Sequence, residues 1–526
     1  MRKYLRMAVL AGVIWISLLP VSAQYDLDPA NKFTRALEWI QRYYVDSVNT
    51  SKLVEDAIIG MLKDLDPHTV YMNRDEVRQM NEPLQGNFEG IGVSFYLLED
   101  TILVIKPVPE GPSDKVGIKA GDKIITINGE NVAGIGLTND GVFERLRGPR
   151  GTTVTVGIKR QGEPQLLQFK IQRDKIPIFS LDAAYMISPG VGYIKINRFA
   201  ATTSREFADA FKTLKSKGMT RLVLDLGQNG GGYLEEAIRL ADFFLSKNKL
   251  ILYTQGLRSP RQDFIATSYG EFEKGDLVIV IDENSASASE IVAGAIQDWD
   301  RGLIVGRRSF GKGLVQRPVP LPDGSLIRLT VARYYTPTGR SIQKPYKDGI
   351  DAYEQDLIKR YQHGEFIHAD SIRFPDSLKY YTLEKKRTVY GGGGIMPDIF
   401  VPLDTSSYSS YYRSLMNSGI LYRFVVRYID RNRRELTSKY PSFELFEKNF
   451  SVTSSILDQL TAYAEAQKLP PDPAGMAASG DQIRLLVKAY IARDLFDTNE
   501  FFQIYNQSDK TVQKAVEVIS SMSKYW

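Results

Sequence analysis

Between residues 185 and 403, short apolar runs typical of β-strands alternate with amphipathic helical patterns. The runs VGYIKI (191–196), RLVLDL (221–226) and LVIVID (277–282) favour strands, and SEIVAGAIQDWD (289–300) favours a helix. This alternation predicts an α/β domain in which helices cover a sheet. A chain of 526 residues is long enough for several such domains.

The rest of the chain changes character twice. Residues 84–175 contain short β-rich runs separated by Gly, Pro and Asp turns, which predicts a compact and mostly β module. Residues 29–80 and the last 120 residues show helical periodicity. The Pro- and Gly-rich stretch 468–480 is the clearest candidate for a linker.

Residues 1–23 have the pattern of a secretory signal peptide. Arg2, Lys3 and Arg6 precede an apolar run that is too short to span a bilayer, and a small-residue site ends at Ala23. Removal of this segment lowers the formal net charge from +5 to +2, because it carries three cations and no acid. We therefore expect an exported protein, in the periplasm or cell envelope, with no charge-based case for nucleic-acid binding.

The rare residue types exclude several catalytic designs. The chain has no cysteine, so a cysteine nucleophile and a Cys-containing zinc site are ruled out. Its three histidines are His68, His363 and His368, and none lies in an obvious context for a Ser-His-Asp triad. A serine nucleophile in this chain would need another base.

Lys312 is the candidate base, in a group with Ser287 and Gln316. Ser287 lies at a strand-turn-helix junction, where free N–H groups and the helix dipole stabilise an oxyanion. A neutral, buried Lys312 can activate a serine, and Gln316 can orient its amine. The alternative is structural, because residues 287–290 also form a capping box. Three nearby serines leave the choice of nucleophile open at this point.

Two glycine-rich stretches invite other interpretations. Residues 306–312 match G-x-x-x-x-G-K, but Gly313 stands where a P-loop needs Ser or Thr, and a strand rather than a helix follows. Residues 227–232 lack the spacing of a dinucleotide fingerprint. Nucleotide binding is therefore disfavoured, and the backbone of residues 227–232 can instead approach a substrate carbonyl.

Several motifs in order resemble the carboxyl-terminal processing peptidases, which are exported Ser/Lys peptidases of the tail-specific protease family with a PDZ domain. The resemblance covers about residues 60–403. The motifs are LDPHTVYM (65–72), FEGIGV (88–93), GIKAGDKIITING (117–129), LRGPRGT (146–152), DLGQNGGG (225–232), SASASEIVAGAIQD (285–298), RSFGKGLVQ (308–316) and ARYYTPTGRSIQ (332–343).

The resemblance implies a role for each site residue. Ser287 is the nucleophile, Lys312 the general base and Gln316 the residue that orients the lysine. The backbone N–H groups of Gly231 and Ala288 are the implied oxyanion donors. This chain departs from the family at Gly227, where the family usually has Arg, which puts in doubt whatever that arginine braces.

The PDZ resemblance implies that the module selects substrates by their ends. Consecutive N–H groups in the loop Gly90, Ile91, Gly92 and Val93 can bind a C-terminal carboxylate while the peptide adds as a strand. Purely turn-forming glycines are the alternative. Arg147 is a candidate for coupling peptide occupancy to the active site, although the sequence alone favours a solvated turn arginine.

We therefore predict a multi-domain α/β and β fold with a crotonase-like β-α peptidase core. The predicted parts are a signal peptide (1–23), a helical N-terminal segment (24–83), a PDZ domain (84–175), a Ser/Lys peptidase core (176–405) and a helical C-terminal region (406–526). The predicted function is cleavage of proteins or peptides with free C-termini, with no metal or cofactor. A silent PDZ scaffold and a latent enzyme are alternatives, and a homodimer through the terminal helices or an activator or adaptor protein are candidate partners.

Overall fold

The computed structural model describes residues 27–405 and 407–526. The predicted signal peptide, residues 1–23, lies outside the described residues. The chain divides into two compact units, Met1–Asp64 and Leu65–Trp526. None of the helices in the described ranges has the length and apolarity needed to cross a membrane.

The described part of the first unit consists of two helices, α1 (Leu27–Tyr43) and α2 (Thr50–Lys63). The side chain of Asn49 accepts a hydrogen bond from the N–H of Lys52 and so caps α2. Helix α1 exposes large apolar side chains, including Trp39 and Tyr43, which are 63% and 62% exposed. The predicted helical N-terminal region is confirmed.

The β-rich module begins after a short strand and helix, β1 (Val70–Met72) and α3 (Arg74–Gln85). Its elements are β2 (Asn87–Gly90), β3 (Val93–Leu98), β4 (Thr101–Pro107), α4 (Pro112–Lys115), β5 (Lys123–Ile127), β6 (Glu130–Asn131), α5 (Asn139–Leu146), β7 (Thr153–Lys159), β8 (Leu167–Gln172) and β9 (Asp174–Pro177). Strands β3-β4-β5-β7-β8 form one antiparallel sheet, with β6 added beside β5, and β2 pairs with β9.

The predicted peptidase core alternates strands and helices, in agreement with the sequence pattern. Its elements are β10 (Leu181–Ser188), β11 (Val191–Ile196), α6 (Thr203–Ser216), β12 (Arg221–Asp225), α7 (Leu234–Asp242), β13 (Leu250–Gly256), β14 (Ser259–Ile265), β15 (Leu277–Ile281), α8 (Ala288–Asp298), β16 (Leu303–Gly306), β17 (Leu314–Pro320), β18 (Leu326–Tyr335), α9 (Ile350–Glu354), α10 (Asp356–Gln362), β19 (Lys379–Tyr381), β20 (Thr388–Tyr390) and β21 (Ile399–Phe400). Two short 3₁₀ helices, Ala369–Ser371 and Asp376–Leu378, precede β19.

The main sheet has the order β10-β11-β12-β15-β16-β21 and is parallel from β11 to β21. Side chains alternate between its two faces. Leu224 and Ile279 belong to the core that includes helices α6, α7 and α8. Val223 and Val280 pack instead against the last long helix of the chain. Burial of both faces explains why these strands are almost continuously apolar.

A second sheet carries the other half of the site. It has the order β1-β18-β13-β14, with β17 also paired to β18. Val70 in β1 lies opposite Arg328 in β18, so the LDPHT motif is held beside strands that follow it by about 250 residues. The structure therefore places β1 in a sheet of the core, whereas the predicted domain bounds assign it to the N-terminal segment (24–83). Local sequence patterns do not reveal that β1 pairs with β18, because the two strands are far apart in the chain. The predicted domain boundaries themselves stay predictions.

The C-terminal region is helical, as predicted. Its helices are α11 (Ser410–Asn417), α12 (Ile420–Lys439), α13 (Phe443–Asn449), α14 (Ser454–Ala466), α15 (Pro473–Leu495), α16 (Thr498–Tyr505) and α17 (Lys510–Ser520), with a 3₁₀ turn at Met522–Lys524. Helix α17 covers the second face of the main sheet through Val512 and Val518.

The linker predicted at residues 468–480 is wrong, because most of that stretch opens α15. Asp472 caps the helix by accepting from the N–H of Gly475, and Pro473 occupies its first turn. Gly475 and Ser479 are buried, and Ser479 Oγ accepts from the N–H of Ser409. Small residues therefore serve close helix packing here rather than flexibility.

Helix α12 packs on the β-rich module. Leu103 and Ile105 of β4 share a buried cluster with Val426 of α12, while Ile102 and Val104 face the module's own core. Ion pairs flank this contact, among them Lys123–Asp430 at 2.8 Å. The interface explains why β4 is apolar on both of its faces.

Candidate active site

Ser287 lies between the end of β15 and the first residue of α8. Its backbone has φ 56° and ψ −110°, a strained conformation for a residue that is not glycine. Its neighbours Ser285 and Ser289 are fully buried, and their hydroxyls donate to the carbonyls of Leu226 and Asn229. Ser287 is only half-buried, so it is the one of the three that faces the site.

Lys312 lies just before β17, largely out of water. Its Nζ donates a hydrogen bond to Oε1 of Gln316 at 2.9 Å, although a bulge interrupts β17 between Val315 and Gln316. Burial, with a contribution from the positive charge of Arg328, lowers the pKa of Lys312 to about 8. About half of a group with that pKa is neutral at pH 8, which is the state that a general base requires.

A buried carboxylate connects the serine to the lysine. Oε2 of Glu290 accepts the backbone N–H groups of Ser287 and Lys312 at 2.8 and 2.9 Å. Its Oε1 accepts from the hydroxyl of Ser309 and the N–H of Gly311 at 2.5 and 2.7 Å. Burial raises the pKa of Glu290, whereas these four donors favour its ionised form.

Tyr334 makes a second connection between the same two segments. Its hydroxyl lies 3.2 Å from the carbonyl oxygen of Ser287 and 2.9 Å from that of Lys312. The ring is 1% exposed, so the connection is part of the packed core. Glu290 and Tyr334 together fix the backbone of both residues, although about 25 positions separate them.

The LDPHT motif reaches the site through a backbone carbonyl. Nε2 of Gln316 donates a hydrogen bond to the carbonyl oxygen of His68, which sets the orientation of the amide. The turn is held by Asp66, whose carboxylate accepts from the N–H groups of His68 and Thr69. The His68 ring is paired with the hydroxyl of Tyr353 at 2.7 Å, and burial lowers the pKa of His68 to about 4.

Gly231 brings the glycine turn against the serine. Its φ is +100°, and a Cβ there would lie 2.8 Å from the carbonyl oxygen of Ala286, 2.9 Å from Cβ of Ser287 and 3.0 Å from the N of Ala288. Glycine is therefore required by space and by conformation. The N–H of Gly231 donates to Oδ1 of Asn229 at 2.9 Å, so it is already paired, while Ala288 begins α8.

A groove lies between β3 and α5. It has a volume of about 490 Å³ and is lined by Phe88, Val93, Ser94, Phe95, Tyr96, Leu97, Asn139, Phe143 and Arg147. Gly90 ends β2, and Gly92 turns the chain into β3 with φ +72°. Ile91 is buried, and its carbonyl oxygen accepts from the N–H of Ser113.

The prediction that Arg147 is a solvated turn arginine is wrong. Arg147 pairs with Glu82 at 2.5 Å. Its guanidinium also lies over the rings of Phe88 and Phe143, with 4.7 and 4.5 Å to their centroids. The arginine is therefore held at the end of the groove and connects it to α3, the helix next to the LDPHT turn.

The sequence analysis missed the supporting residues. Glu290 appeared only as part of a capping box and Tyr334 only inside a quoted motif. His68 appeared only as a histidine without a triad context, and Asp282 only as the last residue of a predicted strand. Asp282 accepts from the backbone and side-chain nitrogens of Gln228 and from the N–H of Ser285. The motifs were the available signal, since each of these residues except Asp282 lies in one.

Four family models match the chain. Residues 20–76 match the activating protease CtpB N-terminal domain, 90–171 a PDZ domain, 190–352 peptidase family S41, and 411–497 a family of unknown function. The carboxy-terminal processing protease CtpB of Bacillus subtilis (strain 168) is 36% identical over 332 residues, which are 62% of this chain and 68% of that protein.

A second relative decides the family. The carboxy-terminal-processing protease of Bartonella bacilliformis (strain ATCC 35685 / KC583 / Herrer 020/F12,63) is 35% identical over 71% of this chain and 84% of its own length. The chain belongs to the carboxy-terminal processing proteases. It is therefore a serine peptidase with a PDZ domain, and the predicted family, PDZ domain, peptidase core and helical regions are confirmed.

One solved structure of a processing protease completes the comparison. The photosystem II D1 C-terminal processing protease is 30% identical to this chain, and the match covers 59% of this chain and 89% of that chain. The TM-score is 0.34. Within the described residues of the processing protease, no group of three or more His, Asp or Glu side chains could hold a metal ion.

Proposed function

We propose that this processing protease hydrolyses peptide bonds through an acyl intermediate on Ser287, with Lys312 as the general base. The observation that carries the proposal is the pair of connections from Glu290 and Tyr334, which hold the backbones of Ser287 and Lys312 on shared partners. The hydrogen bond from the Lys312 amine to Gln316 orients the proposed base. The depressed pKa of Lys312 supports the same role.

The reaction proceeds in two half-reactions. Lys312 takes the proton of the Ser287 hydroxyl as Oγ attacks the substrate carbonyl carbon, and then gives that proton to the leaving amine. Lys312 next takes a proton from water as the water attacks the acyl-serine. It then gives that proton to Oγ of Ser287 as the acyl bond breaks, which releases the new C-terminus and restores the neutral lysine. The N–H of Ala288 is the proposed oxyanion donor, and that of Gly231 joins it if it exchanges its bond to Asn229.

Substrate selection belongs to the PDZ groove. The loop of Gly90, Ile91, Gly92 and Val93 is proposed to bind the terminal carboxylate, while the peptide pairs with β3. Arg147, held by Glu82 at the end of this groove, is the proposed link between peptide occupancy and α3. We also propose export to the periplasm or cell envelope, on the pattern of residues 1–23.

The test is cleavage of an unfolded protein with an apolar, free C-terminus by residues 24–526. Ser287→Ala and Lys312→Ala are compared with Ser216→Ala and Lys217→Ala, which change exposed residues of the same types. We expect the first two to lose activity by about 100-fold or more, and the second two to match the unmodified chain. A substrate amidated at its end is expected to be cut more slowly, because it lacks the carboxylate.

Two results would contradict parts of this proposal. Full activity of Ser287→Ala would remove the acyl-serine mechanism. Equal rates on free and amidated substrates would remove carboxylate capture. Binding without cleavage by the unmodified chain would instead indicate a silent PDZ scaffold or a latent enzyme that awaits an activator or adaptor protein.

A homodimer through the terminal helices is also proposed. The sequence favoured the C-terminal helices for this contact, and the N-terminal helix α1 is a further candidate. The support is its large exposed apolar side chains, among them Phe33, Trp39 and Tyr43. Light scattering after size exclusion should give twice the mass of the chain. Trp39→Glu should give the mass of the monomer.

A further inference from the structure

A buried ion pair lies beneath the start of the glycine turn. Lys195 of β11 and Asp225 of β12 are partners in the parallel strand register, so their side chains project from the same face. Nζ of Lys195 lies 3.1 Å from Oδ2 of Asp225, and the two side chains are 12% and 6% exposed. The hydroxyl of Tyr193 also donates to Oδ2 of Asp225, at 2.5 Å.

This pair binds both polar groups of Gly227. The N–H of Gly227 donates to Oδ1 of Asp225 at 2.7 Å, and its carbonyl oxygen accepts from Nζ of Lys195 at 3.0 Å. A Cβ at this position would lie 3.0 Å from Oδ1 of Asp225 and 3.4 Å from Oδ2 of Asp282. A side chain at this position would require one of the two carboxylates to move by a few tenths of an ångström.

Gly227 opens the turn that ends beside the nucleophile. Between them, Gln228 is bound by Asp282, and Asn229 donates its side-chain N–H to the carbonyl oxygen of Ile196. Gly231 then lies against Ser287. The ion pair thus holds the first residue of the 227–232 turn, and a later residue of the same turn, Gly231, lies against Ser287.

The C-terminal region covers the Lys195–Asp225 ion pair and shields it from water. The ring of Phe502 in α16 lies 5.5 Å from Nζ of Lys195. Asn506 donates to the hydroxyl of Tyr185, which donates in turn to the carbonyl oxygen of Phe502. Burial alone would lower the pKa of Lys195, but Asp225 and other carboxylates raise it above its usual value, so the lysine stays charged. Low local polarity strengthens its hydrogen bonds.

We propose that Lys195 is a positioning residue for the peptidase reaction, whose ammonium fixes the start of the 227–232 turn and so keeps Gly231 beside Ser287 and Ala288. The proposal rests on the proposed function, in which Ser287 is the nucleophile. It also gives the C-terminal region a role at the site, because Phe502 covers the ion pair. A shift of the turn is expected to impair the transition state more than substrate binding, because the proposed function assigns capture of the substrate's C-terminus to the PDZ groove.

The test variant must fold. Lys195→Met alone leaves a buried carboxylate without its cation, which is strongly destabilising. The double variant Lys195→Met/Asp225→Asn removes both charges and keeps an oxygen for the N–H of Gly227. It deletes the bond from Lys195 to the carbonyl oxygen of Gly227, and the Tyr193 hydroxyl, which donates to Oδ2 of Asp225, accepts from the new amide NH₂ instead. Lys195→Arg retains a cation, and Lys212→Met removes an exposed lysine from α6 as the matched control.

Three quantities are measured for each folded variant: kcat, KM and the Kd of a peptide boronic acid, which forms a tetrahedral adduct with the serine. For the double variant we expect kcat to fall by about 10- to 100-fold, with the Kd of the boronic acid rising by the same factor and KM changing by less than about 3-fold. Lys195→Arg should recover most of the loss, and Lys212→Met should match the unmodified chain.

The proposal is overturned if the folded double variant keeps the kcat and the boronic acid Kd of the unmodified chain, or if only KM changes. It is also overturned if kcat falls only in proportion to the folded fraction measured by circular dichroism. Ser287→Ala is run in parallel. If Ser287→Ala still cleaves, the proposed function fails; if it is inactive and the double variant is normal, only the role of Lys195 fails.

Discussion

The ammonium of Lys312 lies 2.9 Å from Oε1 of Gln316 and donates a hydrogen bond to it. The amide cannot turn around freely, because its nitrogen donates to the carbonyl oxygen of His68. A neutral amine in this position has one N–H directed at Gln316 and keeps its lone pair for a proton from the serine. The orientation of the base is therefore set by a turn that lies about 250 residues earlier in the chain.

Gln316→Glu tests this orientation through charge. A carboxylate at the same distance favours the protonated lysine, so we expect the pKa of Lys312 to rise by about 1 to 3 units. The acid limb of kcat/KM against pH should move upward accordingly. Gln316→Met serves as the neutral control, which should lower kcat without that upward shift. An unchanged acid limb in Gln316→Glu would show that the amide does not contact the base.

The pH dependence itself follows from the buried lysine. Only the neutral amine accepts a proton, so activity should increase as the pH rises through about 8, the pKa of Lys312. Arg328→Met removes a positive charge that lowers this pKa, and its acid limb should therefore move to higher pH. Arg317→Met, an exposed arginine on the neighbouring strand, should leave the profile in place.

Glu290→Gln tests the connection between the two segments. The amide has one acceptor oxygen where the carboxylate has two, and its NH₂ group would face N–H donors of the backbone. We expect the free energy of unfolding to fall by about 1 to 3 kcal/mol, since buried donors lose their partners. Denaturant unfolding measures this loss of stability. The kcat, corrected for the fraction of enzyme that is folded, should fall as well. A variant with normal stability and normal kcat would contradict the bridging role.

Val426→Asp tests the contact between α12 and the PDZ domain. A buried aspartate beside Leu103 and Ile105 has no partner there, so the contact should weaken by at least about 2 kcal/mol. Hydrogen exchange in β3 and β4 should speed up. Arg431→Asp, which changes an exposed residue of the same helix, should exchange like the unmodified chain. Equal protection in both variants would show that the contact does not hold the domain.

Local patterns in the sequence predicted much of this fold. The strand-helix alternation located β11, β12, β15 and α8, and motif order indicated Ser287, Lys312 and Gln316 as a group. The pairing of β1 with β18, the α12 interface and the cover of the main sheet by α17 join residues far apart, and such contacts leave no periodic signal. The linker error at 468–480 has the same cause, since buried small residues in a helix resemble a flexible stretch until their packing partner is known.

The supporting residues were hidden for a related reason. Glu290 matches a capping box by spacing alone, and only its contacts with Ser309, Gly311 and Lys312 show that it does more. Lys195 sits in an ordinary strand pattern, and its importance appears only when β11 is placed beside β12. Roles of this kind depend on which strands are neighbours.

The most direct test of the central claim is to find the acyl group on the enzyme. A peptide ester is mixed with residues 24–526, the reaction is quenched in acid within one turnover, and the protein is digested and analysed by mass spectrometry. We expect an acyl mass on Ser287, absent from Ser287→Ala and much reduced in Lys312→Ala. An acyl mass on another residue, or cleavage with no acyl-enzyme in any quench, would contradict it.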